Sequence, residues 1–414
     1  MLEFGSADWA EKCRLDGEFL LNARHWQGGL QLAIGDQVLN LSVKDGQVSD
    51  QEPEGDVLTY QASEPVWSKL LGSSPPRFHT DVFAVLSTRG DLQVSGDQTL
   101  AAQYYPAVMR ALELLRPEPS QPNEGREEAT AEPETGFDSP VGRYVRLKLG
   151  DEVHRIYYET AGQGIPLLLQ HTAGCHGSQW RHLFEDEEIK QQFQLIAYDL
   201  PYHGKSLPPE SVDWWARKYD LTGEFLRSIP VALSEALELD RPVFMGCSVG
   251  GLLALDLAYR HAEQFRAVIS VEGALSIPGK VENLHTLWHP KVSNDYKARA
   301  MEGLMAPQSP LAYVKETSFV YASGWPQSFL GDLYYYLEDF DLRDVAAEID
   351  TNRVGVHILS GEYDHSGTQE LGQAAHQAIK GSTYTAMEKV GHFPMSENPR
   401  IFIKHVKPIL EMIS

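Results

Sequence analysis

Apolar and polar residues alternate with a period of two over 30–33, 38–43 and 57–61, which predicts three short strands, and Asp45-Gly46 supplies a turn after the second. A short helix is expected around 65–71, further strands near 82–86 and 92–95, and an amphipathic helix over 100–115. These elements make a small α+β domain, residues 1–115.

The periodicity then stops. From Arg116-Pro117-Glu118-Pro119 onward to Pro140 the chain is rich in Pro, Glu and Thr and poor in residues that fill a core. Residues 116–141 are therefore expected to be a linker joining two separable pieces. Beyond it, strand patterns recur at 154–158, 166–170, 194–198, 242–247, 267–271, 355–359 and 383–387, alternating with helical patterns such as 221–239 and 250–262. Such alternation implies a mostly parallel sheet with helices on both faces, whose function sits beyond the carboxyl ends of the strands. Residues 142–414 form that second domain. The helical, aromatic-rich stretch 275–342 interrupts the rhythm and is expected to be an inserted cap.

Composition narrows the partners more than the fold. With 42% hydrophobic and 22% charged residues, the chain reads as globular, and it holds no apolar run near the ~18 residues a membrane span requires. The acidic opening Met1-Leu2-Glu3-Phe4 is unlike a signal peptide. Cys13, Cys175 and Cys247 are widely spaced and follow no metal or CxxC pattern. A cytoplasmic, disulfide-free protein with neither metal nor cofactor is the expectation. A net charge of −23 opposes binding to nucleic acid or to an anionic membrane.

Chemistry concentrates at strand ends. Gly246-Cys247-Ser248-Val249-Gly250-Gly251 leaves an apolar strand and opens a helix, the context of a nucleophile elbow, in which small residues let strand and helix backbones approach and expose the serine hydroxyl. Serine needs a base. Among fifteen histidines, His392 in Val390-Gly391-His392-Phe393-Pro394 follows the last strand and so shares the strand-end face with Ser248. The base in turn needs an acid, and Asp364, ending Ile358-Leu359-Ser360-Gly361-Glu362-Tyr363-Asp364, completes the order Ser, Asp, His. Glu362 and Glu272 compete for that role. Backbone N–H groups of Val249 and of Ala173, in the loop His171-Thr172-Ala173-Gly174-Cys175-His176-Gly177, are the expected oxyanion hole. His171 and His176 lack a carboxylate or cysteine at ligand spacing and are expected to shape that loop.

With these motifs in place, the region from Gly142 to Ser414 resembles the α/β-hydrolase superfamily, in the branch of esterases, lactonases and carbon–carbon bond hydrolases. Asp199-Leu200-Pro201-Tyr202-His203-Gly204-Lys205-Ser206 is similar to the family's turn after the fourth strand, which makes His203 structural. Thr172, Cys247 and Tyr202 stand where the family commonly has glycine, histidine and glycine. Serine at 248 disfavours epoxide hydrolases and haloalkane dehalogenases, which use aspartate there. In the first domain, Gly90-Asp91-Leu92-Gln93-Val94-Ser95-Gly96-Asp97 and the helix after it resemble the sterol-carrier-protein-like family, which implies a lipid-holding module; a structural or dimerising appendage is the alternative.

The expected function is acyl transfer to Ser248 from a carboxylic ester or lactone of an apolar or aromatic small molecule, followed by hydrolysis. A carbon–carbon hydrolase of a β-diketone-like substrate, and a ligand- or lipid-binding protein retaining the triad, are the alternatives. Trp288, Trp325, Tyr334, Tyr335 and Tyr336, with Phe319 and Tyr321, are the aromatics from which a substrate pocket would be drawn. A homodimer through the N-terminal domain is the expected assembly.

Overall fold

The computed structural model describes residues 5–117 and 135–414; the expected linker lies mostly outside them. The chain divides into two compact units.

The first unit is built on a five-stranded sheet of order β3-β2-β1-β4-β5, from β1 (Gly28–Ile34), β2 (Gln37–Lys44), β3 (Gln47–Ser49), β4 (Asp56–Ala62) and β5 (Leu92–Ser95). Leu30 pairs with Leu41 and Leu32 with Leu39 across β1 and β2, and all four are buried, so the period-two pattern marks the core face. Two sequence expectations change. Residues 82–86 are not a strand but the start of the helix Val82–Thr88, because Asp81 caps it, its carboxylate accepting from Ala84 N at 2.7 Å. The cap overrides the β preference of Val82, Phe83 and Val85. The helix expected over 100–115 is two, Gln98–Gln103 and Tyr105–Glu113, with Pro106 in the first turn of the second, the position proline tolerates.

Thr286–Gln308 also belongs to this unit, although the cap had been expected to run unbroken over 275–342. Its helix Asn294–Glu302 brings buried Arg299 to Glu302 and to Glu113, and the Thr80 hydroxyl donates to the Gly303 carbonyl at 2.5 Å. A buried guanidinium is costly without such carboxylates, so the segment is tied to the helix that supplies Glu113.

The second unit holds an eight-stranded sheet of order β13-β12-β11-β10-β8-β9-β7-β6. Its strands are β6 (Val141–Leu149), β7 (Glu152–Gly162), β8 (Ile165–Gln170), β9 (Phe193–Tyr198), β10 (Val243–Cys247), β11 (Ala267–Val271), β12 (Gly355–Gly361) and β13 (Thr383–Met387). β7 is antiparallel to both of its neighbours, β6 and β9, and the other pairings are parallel, with β10 near the middle. Every residue of β10 and β11 is buried, as two-sided cover by helices demands. The inserted segment leaves after β11 and returns before β12; its ends meet where Leu342 N donates to Leu275 O at 2.8 Å. No helix among the described residues is long and apolar enough to cross a membrane.

Candidate active site

Ser248 occupies the turn between β10 and the helix Val249–Arg260 with φ 59° and ψ −115°, a left-handed conformation that costs a non-glycine residue about 1–3 kcal/mol. Packing holds it there. Its N–H donates to Val271 O and its carbonyl accepts from Leu252 N, both at 2.9 Å. The flanking glycines are needed because a Cβ on Gly246 would stand 2.4 Å from Gly250 O, and one on Gly251 2.3 Å from Val271 O. The strand and helix backbones touch, and the serine side chain is the part left to project.

The histidine loop is drawn to the same strand end: the Cys247 thiol donates to the His392 carbonyl at 3.2 Å. The Nδ1 atom of His392 lies 2.7 Å from Asp364 Oδ2. Asp364 is fully buried and also accepts from Ser366 N at 2.7 Å and Gly367 N at 3.0 Å. Burial pushes its carboxyl up, but the charge and hydrogen bond of His392 with the Ser366 N–H outweigh that and hold it below the usual carboxylate range. An ionised acceptor fixes the proton on Nδ1 and leaves Nε2 as the basic nitrogen.

Glu272, the competing acid, sits elsewhere in this arrangement. It too is fully buried, with φ 53°, and its two carboxyl oxygens lie 2.8 and 2.9 Å from Gly361 N. Burial, then the charge of Asp364, drives its carboxyl well above the usual range, and its side chain is hydrogen-bonded to Asp364. A protonated Glu272 therefore stands behind an ionised Asp364, two carboxyls kept apart in charge by their surroundings.

The loop after β8 is tied at several points. Thr172 N donates to Gln179 Oε1 at 3.0 Å, the Thr172 hydroxyl bonds to Gln179 and to Tyr321, and Gly174 N donates to Asp332 Oδ2 at 2.7 Å. Asp332 also accepts from Tyr219 and is paired with His203, so His203 holds a carboxylate of the inserted segment. Thr172, which replaces the glycine common in the resembled family, thus uses its hydroxyl as a strut. No partner is found among the described residues for the N–H of Ala173 or of Val249.

The aromatic residues expected to line a pocket go separate ways. Tyr336, buried in a π turn over Tyr335–Asp339, bonds to Ser366 Oγ at 2.7 Å, and its hydroxyl also interacts with the Ser248 side chain. Tyr335, one residue earlier, turns the other way and donates to Asp256, so its hydroxyl does not serve a pocket at Ser248. Tyr334 is partly exposed. Trp325 packs with Tyr202, Trp214 and Tyr219 around a cavity of about 390 Å³ that also exposes Arg217 and Lys218. Phe319 points outward, 74% exposed, and Trp288 lies exposed in the first unit.

Two buried carboxylates escaped the reading of the sequence. Asp332 is the single charged residue of the helix Pro326–Tyr334 and falls between Gly331 and Leu333, which is a legible sign. Glu397 accepts from Gly391 N at 2.9 Å and Phe393 N at 3.0 Å, the two N–H groups flanking His392, and from the Ser309 hydroxyl at 2.6 Å. Only its position five residues past the histidine hints at this.

Comparison with known proteins agrees with the fold. The chain is 23% identical over 261 residues to a pimeloyl-[acyl-carrier protein] methyl ester esterase of Vibrio vulnificus (strain YJ016), covering 60% of this chain and 94% of that esterase. A thermophilic esterase from Thermogutta terrifontis superposes with a TM-score of 0.57 at 18% identity, over 66% of this chain and 99% of its own. The enol-lactonase from Burkholderia xenovorans LB400 does so with a TM-score of 0.52 at 24% identity, over 65% and 100%. The profile of the Alpha/beta hydrolase family matches residues 167–405, more than half of the 414, and the chain therefore belongs to the alpha/beta hydrolase family.

Proposed function

We propose that the second unit hydrolyses a carboxylic ester or lactone of an apolar or aromatic small molecule through an acyl-enzyme on Ser248. The observation that carries this reading is a strained serine elbow at the end of β10, to which the loop of His392 is tied through the Cys247 thiol, with the Nδ1 of that histidine held by a buried Asp364 whose carboxyl is kept below its usual range. In the first half-reaction His392 Nε2 takes the Ser248 hydroxyl proton as Oγ adds to the substrate carbonyl carbon. Negative charge then rests on the carbonyl oxygen, and the N–H groups of Ala173 and Val249 donate to it, each worth about 3 kcal/mol of barrier. Collapse breaks the carbonyl carbon to alkoxy oxygen bond, and the departing alcohol leaves with the proton from His392. Water, deprotonated by the same nitrogen, adds to the acyl-enzyme and releases the acid and Ser248. The similar proteins support this bond type, since a methyl ester and an enol-lactone, the groups named for two of them, share an acyl–oxygen linkage.

The test is a panel of p-nitrophenyl esters, lactones and a vinylogous diketone, with wild type and Ser248→Ala, together with a fluorophosphonate label. Ester or lactone turnover lost in Ser248→Ala, with labelling of Ser248, is the expected result. Turnover of the diketone alone assigns a carbon–carbon hydrolase, and binding without labelling assigns a receptor.

A further inference from the structure

One peptide group in the loop after β8 has its direction set by bonds that also decide the protonation of His171. Nδ1 of His171 lies 2.7 Å from the Thr172 carbonyl oxygen, and Nε2 lies 3.1 Å from Leu200 N. A carbonyl oxygen only accepts and a backbone N–H only donates. One state satisfies both contacts: a neutral ring with its hydrogen on Nδ1 and a lone pair on Nε2. An imidazolium would aim an N–H at the Leu200 N–H. The surroundings agree, because the ring is fully buried, and burial, followed by the nearby His203 ring 5.1 Å away, disfavours the cation.

The same carbonyl accepts from Cys175 N at 3.3 Å. In a planar trans peptide the C=O and the N–H point in opposite directions. Fixing the Thr172 carbonyl on His171 and Cys175 therefore turns the Ala173 N–H the other way. The peptides on either side are anchored as well, at Thr172 N by Gln179 and at Gly174 N by Asp332.

We propose that His171 is a positioning residue of the oxyanion hole, its Nδ1–H donating to the Thr172 carbonyl and so keeping the Ala173 N–H turned toward the substrate oxygen. The proposal rests on the reading of Ser248 as nucleophile and Ala173 as donor. Without this bond the Thr172 carbonyl keeps only the longer contact from Cys175 N, its direction is held less firmly, and a carbonyl oxygen turned into the place of the N–H would repel the charge it should stabilise. Loss of one such donor lowers kcat by about 10²–10³-fold.

Three substitutions separate the two ring nitrogens. In His171→Asn the amide NH₂ stands near the place of Nδ1, in His171→Gln the amide oxygen stands near the place of Nε2, and His171→Leu keeps neither. The probe is a trifluoromethyl ketone, to which Ser248 Oγ adds while its proton passes to His392, forming an oxyanion. His171→Leu and His171→Gln should lose about 10²-fold in kcat and in ketone affinity with KM little changed, and His171→Asn should retain most of both. Ketone binding unchanged in His171→Leu overturns the proposal, as does an equal loss in Asn and Leu. Long-range ¹H–¹⁵N spectra of the histidine-labelled wild type need no variant to fold; they should show His171 as the Nδ1–H tautomer across roughly pH 5 to 9. An Nε2–H tautomer, or titration in that range, also overturns it. If wild type binds no ketone and takes no fluorophosphonate, the nucleophile assignment itself has failed; labelling of Ser248 that His171→Leu leaves untouched removes only the role of His171.

Discussion

Nδ1 of His392 and Oδ2 of Asp364 are 2.7 Å apart, and the aspartate is buried with two backbone N–H groups on its oxygens. The bond sets the imidazole tautomer, and in the proposed reaction it faces the charge that would form on the ring as Ser248 gives up its proton.

Replacing Asp364 by Asn should lower kcat by about four orders of magnitude, because an amide NH₂ turned to the ring selects the wrong tautomer. Glu272→Gln should keep activity within about tenfold, since a protonated carboxyl and an amide both donate to Asp364. Steady-state kinetics on both variants decide between the two acids; a larger loss in Glu272→Gln would reverse the assignment.

Glu272 and Asp364 have opposite effects on stability against pH. The carboxyl of Glu272 is raised on folding, by burial first and then by Asp364, so the folded state holds a proton that the unfolded chain releases above about pH 4.3. Its contribution is complete below that pH and is lost as pH rises toward its folded value. Asp364 is lowered, so its contribution is present above about pH 3.9 and is lost on acidification through its folded value. Glu272→Gln should accordingly gain stability over wild type between pH 5 and pH 8, by up to about 1.4 kcal/mol for each pH unit above 4.3. Urea unfolding at several pH values measures this, and parallel curves for the two proteins would refute it.

Glu397 holds the N–H groups on both sides of His392, so Glu397→Ala leaves two buried donors unpaired and loosens the ring. A fall of about 10²-fold in kcat is expected, with KM little changed and a fluorophosphonate labelling rate that falls in step. Glu397→Gln keeps an accepting oxygen and should recover most of the loss. A lowered melting temperature with normal labelling would instead make Glu397 a purely structural clasp.

Tyr336, bonded to Ser366 and interacting with Ser248, should control how a substrate lies against the nucleophile, whereas Tyr335 faces Asp256. Tyr336→Phe is expected to change the ratio of kcat/KM for aromatic over short-chain esters by roughly tenfold at an unchanged melting temperature. Tyr335→Phe should lower the melting temperature and leave that ratio alone. Equal ratios in the two variants would remove Tyr336 from substrate choice.

Cleavage within 118–134 should not free the N-terminal piece. Thr286–Gln308 belongs to the first unit, where Arg299 meets Glu113 and Gly303 meets Thr80, so the nicked halves still share that unit. Size-exclusion chromatography of the nicked protein should show one peak at the intact size, and two separate peaks would show the unit to be self-sufficient without the segment.

Local chemistry made a large part of this molecule legible. The Gly246 to Gly251 run and the strands around it could be read because a sharp strand-to-helix turn constrains its own residues, and the His392 and Asp364 loops because each follows one of the last two strands of the alternation. What lay beyond reach depended on partners distant in the chain. The helix at Val82–Thr88 is capped by an aspartate that competes with β propensity, and Thr286–Gln308 joins a unit whose other residues come well over a hundred positions earlier. Three adjacent tyrosines look alike in sequence, yet Tyr336 reaches Ser366 and Tyr335 reaches Asp256. The protonation of His171, the clasp of Glu397 and the anchor of Asp332 are likewise products of tertiary placement. Periodicity reports which side chains are buried, whereas the partner of a buried polar group is decided only when the chain has closed around it.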